Sequence, residues 1–244
     1  MMNPLQNDNK MKGMNDMCGR FSLTLELEEI ELYLSDTFQI HRPLDMPFPR
    51  YNIAPTQQVL SVISDGEGYR AGPLKWGLVP PFAKDEKMGS RLINARAETI
   101  AEKPSFKHSF YHRRCLVLAD GFYEWKKLND KKIPYRIRIK DQPIFAFAGL
   151  WSKYTNPQGK NIFTCTIITT ESNHFMSKIH HRMPVILTPE QQKLWLDPRI
   201  KDRDTLESLL VQYDDQLMDM YSVSTDVNNV KNDHPKLIQP VSYY

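Results

Sequence analysis

CLVLADGFYEW, residues 115–125, joins a continuous apolar run to a stretch in which a carboxylate stands among aromatic rings. Both halves carry strand signals, and similar segments surround them: VLSVIS at 59–64, LKWGLVP at 74–80, PYRIRI at 134–139, IFAFAGLW at 144–151, NIFTCTIITT at 161–170, MPVIL at 183–187 and MYSVS at 220–224. Gly66 and Gly68 mark a turn after the first of them. Helical signals are short and scattered. Thr24 is placed to cap a helix from Leu25 to about Leu34 whose first turns are acidic. Others cover Ser105–Arg113, Thr188–Leu196 with Pro189 in its first turn, and Arg203–Tyr213. A Pro-rich loop is expected from Arg42 to Pro55. With no regular βαβ alternation, the fold class is α+β: a single domain with a curved, barrel-like, mostly antiparallel β core and short flanking helices.

A chain of 244 residues, 41% hydrophobic and 25% charged, is long enough to bury one sizeable core. No apolar run approaches the roughly 20 residues of a membrane-spanning helix, and the opening stretch lacks the apolar region of a secretory signal. A cytoplasmic protein without a membrane partner is expected. Three cysteines with no C-x-x-C pair indicate neither a disulfide framework nor a thiolate metal site. A net charge of +3 is only mildly basic, so any nucleic-acid contact must rest on a local patch. Residues 1–17 read as a disordered extension or precursor segment, 18–235 as the catalytic domain and 236–244 as a C-terminal tail.

Three polar segments are not explained by strand propensity: CGR at 18–20, NAR at 94–96 and HHR at 180–182. In an extended backbone, alternation puts Cys18 with Arg20, Asn94 with Arg96, and His180 with Arg182 on common faces. Each face would join a group capable of chemistry to a guanidinium that binds anions. Glu124 falls between aromatics, and apolar neighbours raise a carboxyl pKa toward the range useful for proton transfer. The plainer reading, which the residues alone favour, is a solvent-facing strand glutamate.

Other residues carry simpler explanations. Cys115 and Cys165 stand in apolar strand patterns and read as buried core thiols. His180 and His181 have no partner ligands at metal spacing, so no metal is expected. Trp76 reads as core, or as a face for base stacking. Asn52 and Pro55, in YNIAPTQ at 51–57, read as turn chemistry.

Taken together, MCGRF at 17–21, YNIAPTQ at 51–57, WGLVP at 76–80, INARAET at 93–99, ADGFYEW at 119–125, FAGLW at 147–151 and IHHRMPVIL at 179–187 resemble the SOS response associated peptidase (SRAP) family. The likeness runs from Met17 to about Pro235. It implies the fold of that family and covalent capture of abasic sites in single-stranded DNA. Position by position, it implies Cys18 as the catalytic N-terminal cysteine, Asn94 as an orienting amide, Glu124 as the proton-transfer carboxylate and His180 as the histidine assisting sugar opening and crosslink reversal. Arg20, Arg96 and Arg182 match phosphate-holding positions. Trp76, Asn52, Pro55 and Thr169 match the groove around the lesion. No cofactor is implied, and a monomer is expected, nucleoid-associated when bound to DNA.

The resemblance also implies that Cys18 must come first, because only an N-terminal cysteine offers a free amine beside its thiol. Sixteen residues precede Met17 in this chain. Translation from Met17 followed by methionine removal would expose Cys18, and self-cleavage before Cys18 is the other route. Two further readings stand beside this one: a cysteine peptidase in which His180 activates the Cys18 thiol, and a non-catalytic single-strand-binding module.

Overall fold

Apolar strands that pair with their neighbours in sequence, and then with one another across the ends, leave no edge exposed, and this is how the core is built. The computed structural model describes residues 19–129 and 131–243. Its strands in chain order are β1 (Phe21–Leu23), β2 (Arg50–Ile53), β3 (Gln58–Ser64), β4 (Tyr69–Trp76), β5 (Asn94–Arg96), β6 (Arg114–Ala119), β7 (Gly121–Leu128), β8 (Lys131–Ile139), β9 (Phe145–Thr155), β10 (Asn161–Glu171), β11 (Arg182–Pro184), β12 (Ile186–Leu187) and β13 (Met218–Ser222). The α-helices are α1 (Leu27–Phe38), α2 (Pro104–His112), α3 (His174–Ser177), α4 (Pro189–Leu196) and α5 (Arg203–Ser208). Strands β4, β3, β6, β9 and β10 pair in that order, and β10 returns to β4 to close a barrel. The closing pair is parallel, and the other pairs of the ring are antiparallel. The expected α+β class with a barrel-like, mostly antiparallel core is therefore what the chain adopts.

A second sheet, ordered β13-β8-β7-β1-β2, lies against the barrel. Aromatic rings join the two: Phe21 of β1 meets Phe147 of β9 with centroids 5.7 Å apart, and Phe122 of β7 meets the same ring at 6.0 Å. The run CLVLADGFYEW is not one strand. It breaks at Asp120, so that β6 serves the barrel and β7 the second sheet.

Asp120 can occupy that corner because four donors surround its carboxylate. Ser22 Oγ donates at 2.6 Å, the Thr24 amide at 2.7 Å and Arg136 Nη2 at 2.8 Å, with the Thr24 hydroxyl as the fourth. Arg136 is 4% exposed. Burial alone would lower its pKa, but the Asp120 charge and the Tyr221 hydroxyl outweigh burial and hold it above the ordinary arginine value. Gly121 is required beside this pair, since a Cβ there would lie 2.6 Å from Arg136 Nε.

Several elements differ from the sequence expectation because tertiary partners intervene. Thr24 is taken by Asp120 and does not cap α1, which begins two residues later than expected, at Leu27, with the Glu26 amide donating to Glu29 Oε2 at 3.0 Å. The helix continues to Phe38 because Ile30, Leu34 and Phe38 bury one face. The Pro-rich loop contains β2, whose pairing with β1 depends on tertiary context. The helix expected over Arg203–Tyr213 ends at Ser208, and Leu209, Leu210 and Tyr213 are buried beyond its end. Beyond Pro235, Leu237 is fully buried and Val241 donates its amide to the Ser222 carbonyl at 2.9 Å, so this segment packs against the body. Among the described residues, no helix is long and apolar enough to cross a membrane.

Asp120→Ala leaves the Arg136 charge buried without its partner, a loss of about 3–5 kcal/mol. Urea unfolding followed by circular dichroism should register a large drop in midpoint. A wild-type midpoint would contradict the role given to this corner.

Candidate active site

Of the three polar segments picked out by sequence, NAR forms β5, HHR runs into β11, and Gly19 and Arg20 of CGR lead into β1; each is positioned by a different constraint. Cys18 lies outside the described residues, but the chain just after it is fixed. Phe21 pairs with Phe122 and Ser22 with Gly121, and the Tyr123 amide donates to the Arg20 carbonyl at 2.9 Å. The chain leading into β1 therefore runs alongside Glu124. That residue is 4% exposed, so it is not the solvent-facing glutamate that simple alternation allows.

Asn94 comes from the other side of the fold. β5 pairs in parallel with β10, placing Asn94 opposite Ile167 and Arg96 opposite Thr169. Asn94 is 7% exposed, whereas Arg96 is open to solvent. The link to β1 is Trp76: its Nε1 donates to the Ile93 carbonyl at 2.8 Å, and its ring lies 5.2 Å from that of Phe21. Trp76 is fully buried. Its enclosed ring leaves no face for a base, so the stacking reading yields to the core reading.

His180 follows the short helix α3 and precedes β11. Its Nδ1 lies 3.1 Å from the Arg182 amide nitrogen and 3.0 Å from the Arg182 carbonyl oxygen. A neutral Nδ1 can accept from the amide, and a protonated one can donate to the carbonyl. Both protonation states thus have a partner. Its Nε2 is buried and makes no hydrogen bond among the described residues, which suits a nitrogen that exchanges a proton with a bound molecule.

Two of the three arginines are already engaged. Arg182 is 7% exposed and holds Glu98 bidentately, Nη1 to Oε1 at 2.7 Å and Nη2 to Oε2 at 3.0 Å, while Nη2 also reaches the Thr169 carbonyl at 2.6 Å. Burial would raise the Glu98 carboxyl, but the Arg182 hydrogen bonds overcome this and hold it below the ordinary glutamate value. Thr169 is fully buried beneath this pair. Arg20 stacks over Trp125 at 5.7 Å, and its Nη1 donates to Asn52 Oδ1 at 2.7 Å and to the Val227 carbonyl at 2.6 Å.

Asn52 is 1% exposed, so it meets no surface groove. Its amide nitrogen instead binds the carbonyls of Val227, Asn229 and Asn232 at 3.2, 3.1 and 2.8 Å. Asp233 accepts the main-chain amides of Tyr51 and Asn52, and Asn228 Oδ1 accepts from Trp125 Nε1 at 2.7 Å. Residues 227–233 therefore brace Arg20 and Trp125. Sequence reasoning missed this loop, because its run of Asn, Lys and Asp has the composition of a solvated surface. Pro55 is half-buried in the turn before β3, where Thr56 adopts a φ of 73° and its amide donates to the Trp76 carbonyl at 2.8 Å.

Cys115 and Cys165 are fully buried, as their apolar patterns indicate. Burial pushes the Cys165 thiol up to about 12 and the Cys115 thiol well above its ordinary value, so neither ionises readily. No group of three or more His, Cys, Asp or Glu among the described residues could hold a metal ion.

Comparison with known proteins gives one consistent family. The profile of the SOS response associated peptidase (SRAP) family matches residues 17–230. The abasic site processing protein YoqW of Bacillus subtilis (strain 168) is 52% identical over 225 residues, covering 91% of this chain and 99% of the relative. The abasic site processing protein YedK of Escherichia coli (strain K12) is 34% identical over 230 residues, covering 92% and 100%. Among solved structures, a protein from Bacteroides thetaiotaomicron superposes with a TM-score of 0.82 at 28% identity, covering 92% of this chain and 100% of that one.

Trp76→Phe removes one of the two donors to the Ile93 carbonyl, leaving the Ile167 amide, and should cost about 0.5–1.5 kcal/mol in denaturant unfolding. Affinity for an undamaged single strand, read by fluorescence anisotropy, should stay at the wild-type value. Weakened binding at unchanged stability would place the ring on nucleic acid.

Proposed function

The chain belongs to the SOS response associated peptidase (SRAP) family, and from that premise we propose that it captures abasic sites in single-stranded DNA as a covalent thiazolidine on Cys18. The observation that carries this reading is the Tyr123–Arg20 hydrogen bond, which runs the chain that follows Cys18 alongside the buried Glu124. The names of the relatives, abasic site processing proteins, agree with a DNA-lesion substrate.

The chemistry requires that Cys18 be the first residue. The open form of an abasic sugar carries an aldehyde at C1′. The α-amine of Cys18 adds to it and water leaves, giving an imine. The thiol sulfur then bonds to the same carbon, its proton passes to nitrogen, and a five-membered ring closes. The net reaction loses one water. A cysteine within the chain has only an amide nitrogen and cannot form the imine.

The amine and thiol have ordinary pKa values of roughly 7.7–8.0 and 8.5, so both are largely protonated at neutral pH and need an acceptor nearby. We assign proton transfer to Glu124, sugar opening and crosslink reversal to His180, and orientation of the reacting groups to Asn94. Arg20, Arg96 and Arg182 hold the flanking phosphates. Arg96 meets them directly, and Arg182 does so once Glu98 yields its guanidinium. In this reading Asn52, Pro55, Trp76 and Thr169 shape the groove from beneath, a role compatible with their burial. A single strand presents the sugar without the cost of extruding it from a duplex stack.

Release of residues 1–17 then activates the protein, either by initiation at Met17 and methionine removal or by hydrolysis of the Met17–Cys18 bond. The same pairing of cysteine and histidine underlies the second reading, a peptidase acting on peptides. The two differ in their need for the amine.

Protein beginning at Cys18, mixed with an oligonucleotide bearing one abasic site, should gain the mass of that oligonucleotide minus one water in intact mass spectrometry. Acetylation of the N-terminus, or Cys18→Ala, should abolish the adduct. An adduct that survives acetylation, or none from the free N-terminus, would overturn the proposal.

A further inference from the structure

The hairpin that carries Glu124 continues past it as a ribbon. Strands β7 and β8 pair through Lys127↔Lys132 and Leu128↔Lys131, but among the described residues no third strand pairs with 126–128 or 131–133. β1 reaches only Gly121 and Phe122, and β13 stops opposite Tyr135. Beyond Trp125 the ribbon therefore has no further ladder partner on either edge among the described residues.

Four lysines cover this ribbon: Lys126, Lys127, Lys131 and Lys132. Lys127 and Lys132 face each other directly across the strands, an arrangement that destabilises a sheet unless a counter-charge is supplied. None of the four forms an ion pair among the described residues. Alternation sorts them into two rows. Lys126 and Lys131 extend the face of Glu124, and Lys127 and Lys132 extend the face of Trp125, over which Arg20 stacks.

We infer that this ribbon is a track for the single-stranded DNA flanking the lesion. The inference rests on the proposed function and lengthens its site. From Glu124 to Leu128 the strand advances about 13 Å, long enough to lie beside more than one phosphate of a single strand. A chain whose net charge is only +3 thereby presents a concentrated positive surface next to the reacting groups. The alternative is that the lysines only guard a free strand edge against pairing with other chains, in which case they contribute nothing to binding.

Full-length wild type, Lys126→Gln/Lys131→Gln and Lys127→Gln/Lys132→Gln separate these cases. Anisotropy with an undamaged 15-nucleotide single strand gives the dependence of affinity on salt, and thermal melting checks that each variant is folded. Each lost phosphate contact flattens the log–log slope by about 0.7, so the pair lying under the DNA should flatten it by about 1.4. That corresponds to about sevenfold less change in affinity between 50 and 200 mM salt. The pair that responds identifies the face over which the strand runs. Wild-type slopes in both folded variants would overturn the track. Adduct formation by the same wild-type and variant sequences, prepared to begin at Cys18 and mixed with an abasic oligonucleotide carrying one nucleotide on each side, reads the chemistry separately. Its absence in wild type would count against the proposed function without touching the salt slopes.

Discussion

Phe21 sits where the second sheet meets the barrel, 5.2 Å from Trp76 and 5.7 Å from Phe147, and the rest of the site depends on that contact. β1 is only three residues long, too short for its ladder alone to hold it. Full burial of one large apolar side chain is worth about 1.5–3 kcal/mol, comparable with the few net hydrogen bonds the strand makes. The ring thus anchors β1, and the ordered chain that follows Cys18 lies next to Glu124. Trp76 extends the same contact to Ile93 through its indole nitrogen, so that Asn94 on β5 is referred to the same anchor.

The Asp120 corner supplies the second constraint. Because β6 ends there and β7 begins in another sheet, Glu124 is carried out of the barrel while remaining buried against it. The four donors to Asp120 come from β1, from the segment entering α1 and from β8. One carboxylate, at the head of the strand that bears the buried glutamate, therefore fixes three segments relative to that strand, the N-terminal strand β1 among them. A buried charge is costly unless its partners are in place, which makes this corner intolerant of partial disassembly.

Much of the fold was legible because strand patterns with apolar faces are strong signals. CLVL, IFAFAGLW and TCTIITT are covered on both sides by barrel interior and flanking layers, and their composition says so. Helix α4 was legible from Thr188 and Pro189, whose cap and first-turn positions the structure reproduces. What was not legible depends on tertiary partners. Thr24 has the chemistry of a cap, and only the approach of Asp120 takes it away. β2 lies in a Pro-rich segment whose strand character arises from pairing with β1. At the candidate site, NAR and HHR stood out as polar interruptions, but whether an arginine is open, like Arg96, or sequestered, like Arg182 by Glu98, is a matter of neighbours more than eighty residues away in sequence. The brace at 227–233 gave no signal, since asparagines that bind main-chain carbonyls have the same composition as asparagines in water.

The central physical claim is that the chain following Cys18 is held as firmly as the barrel itself, so that a freed N-terminus would meet its proton acceptors without a search. Native-state hydrogen exchange at the Tyr123 amide, which donates to the Arg20 carbonyl, tests this most directly against the Ile167 amide, which donates to the Ile93 carbonyl at 3.1 Å. The account predicts that both exchange only through global unfolding, with similar protection. Rapid exchange at Tyr123 with Ile167 still protected would mean that β1 opens locally, and would contradict a preformed site.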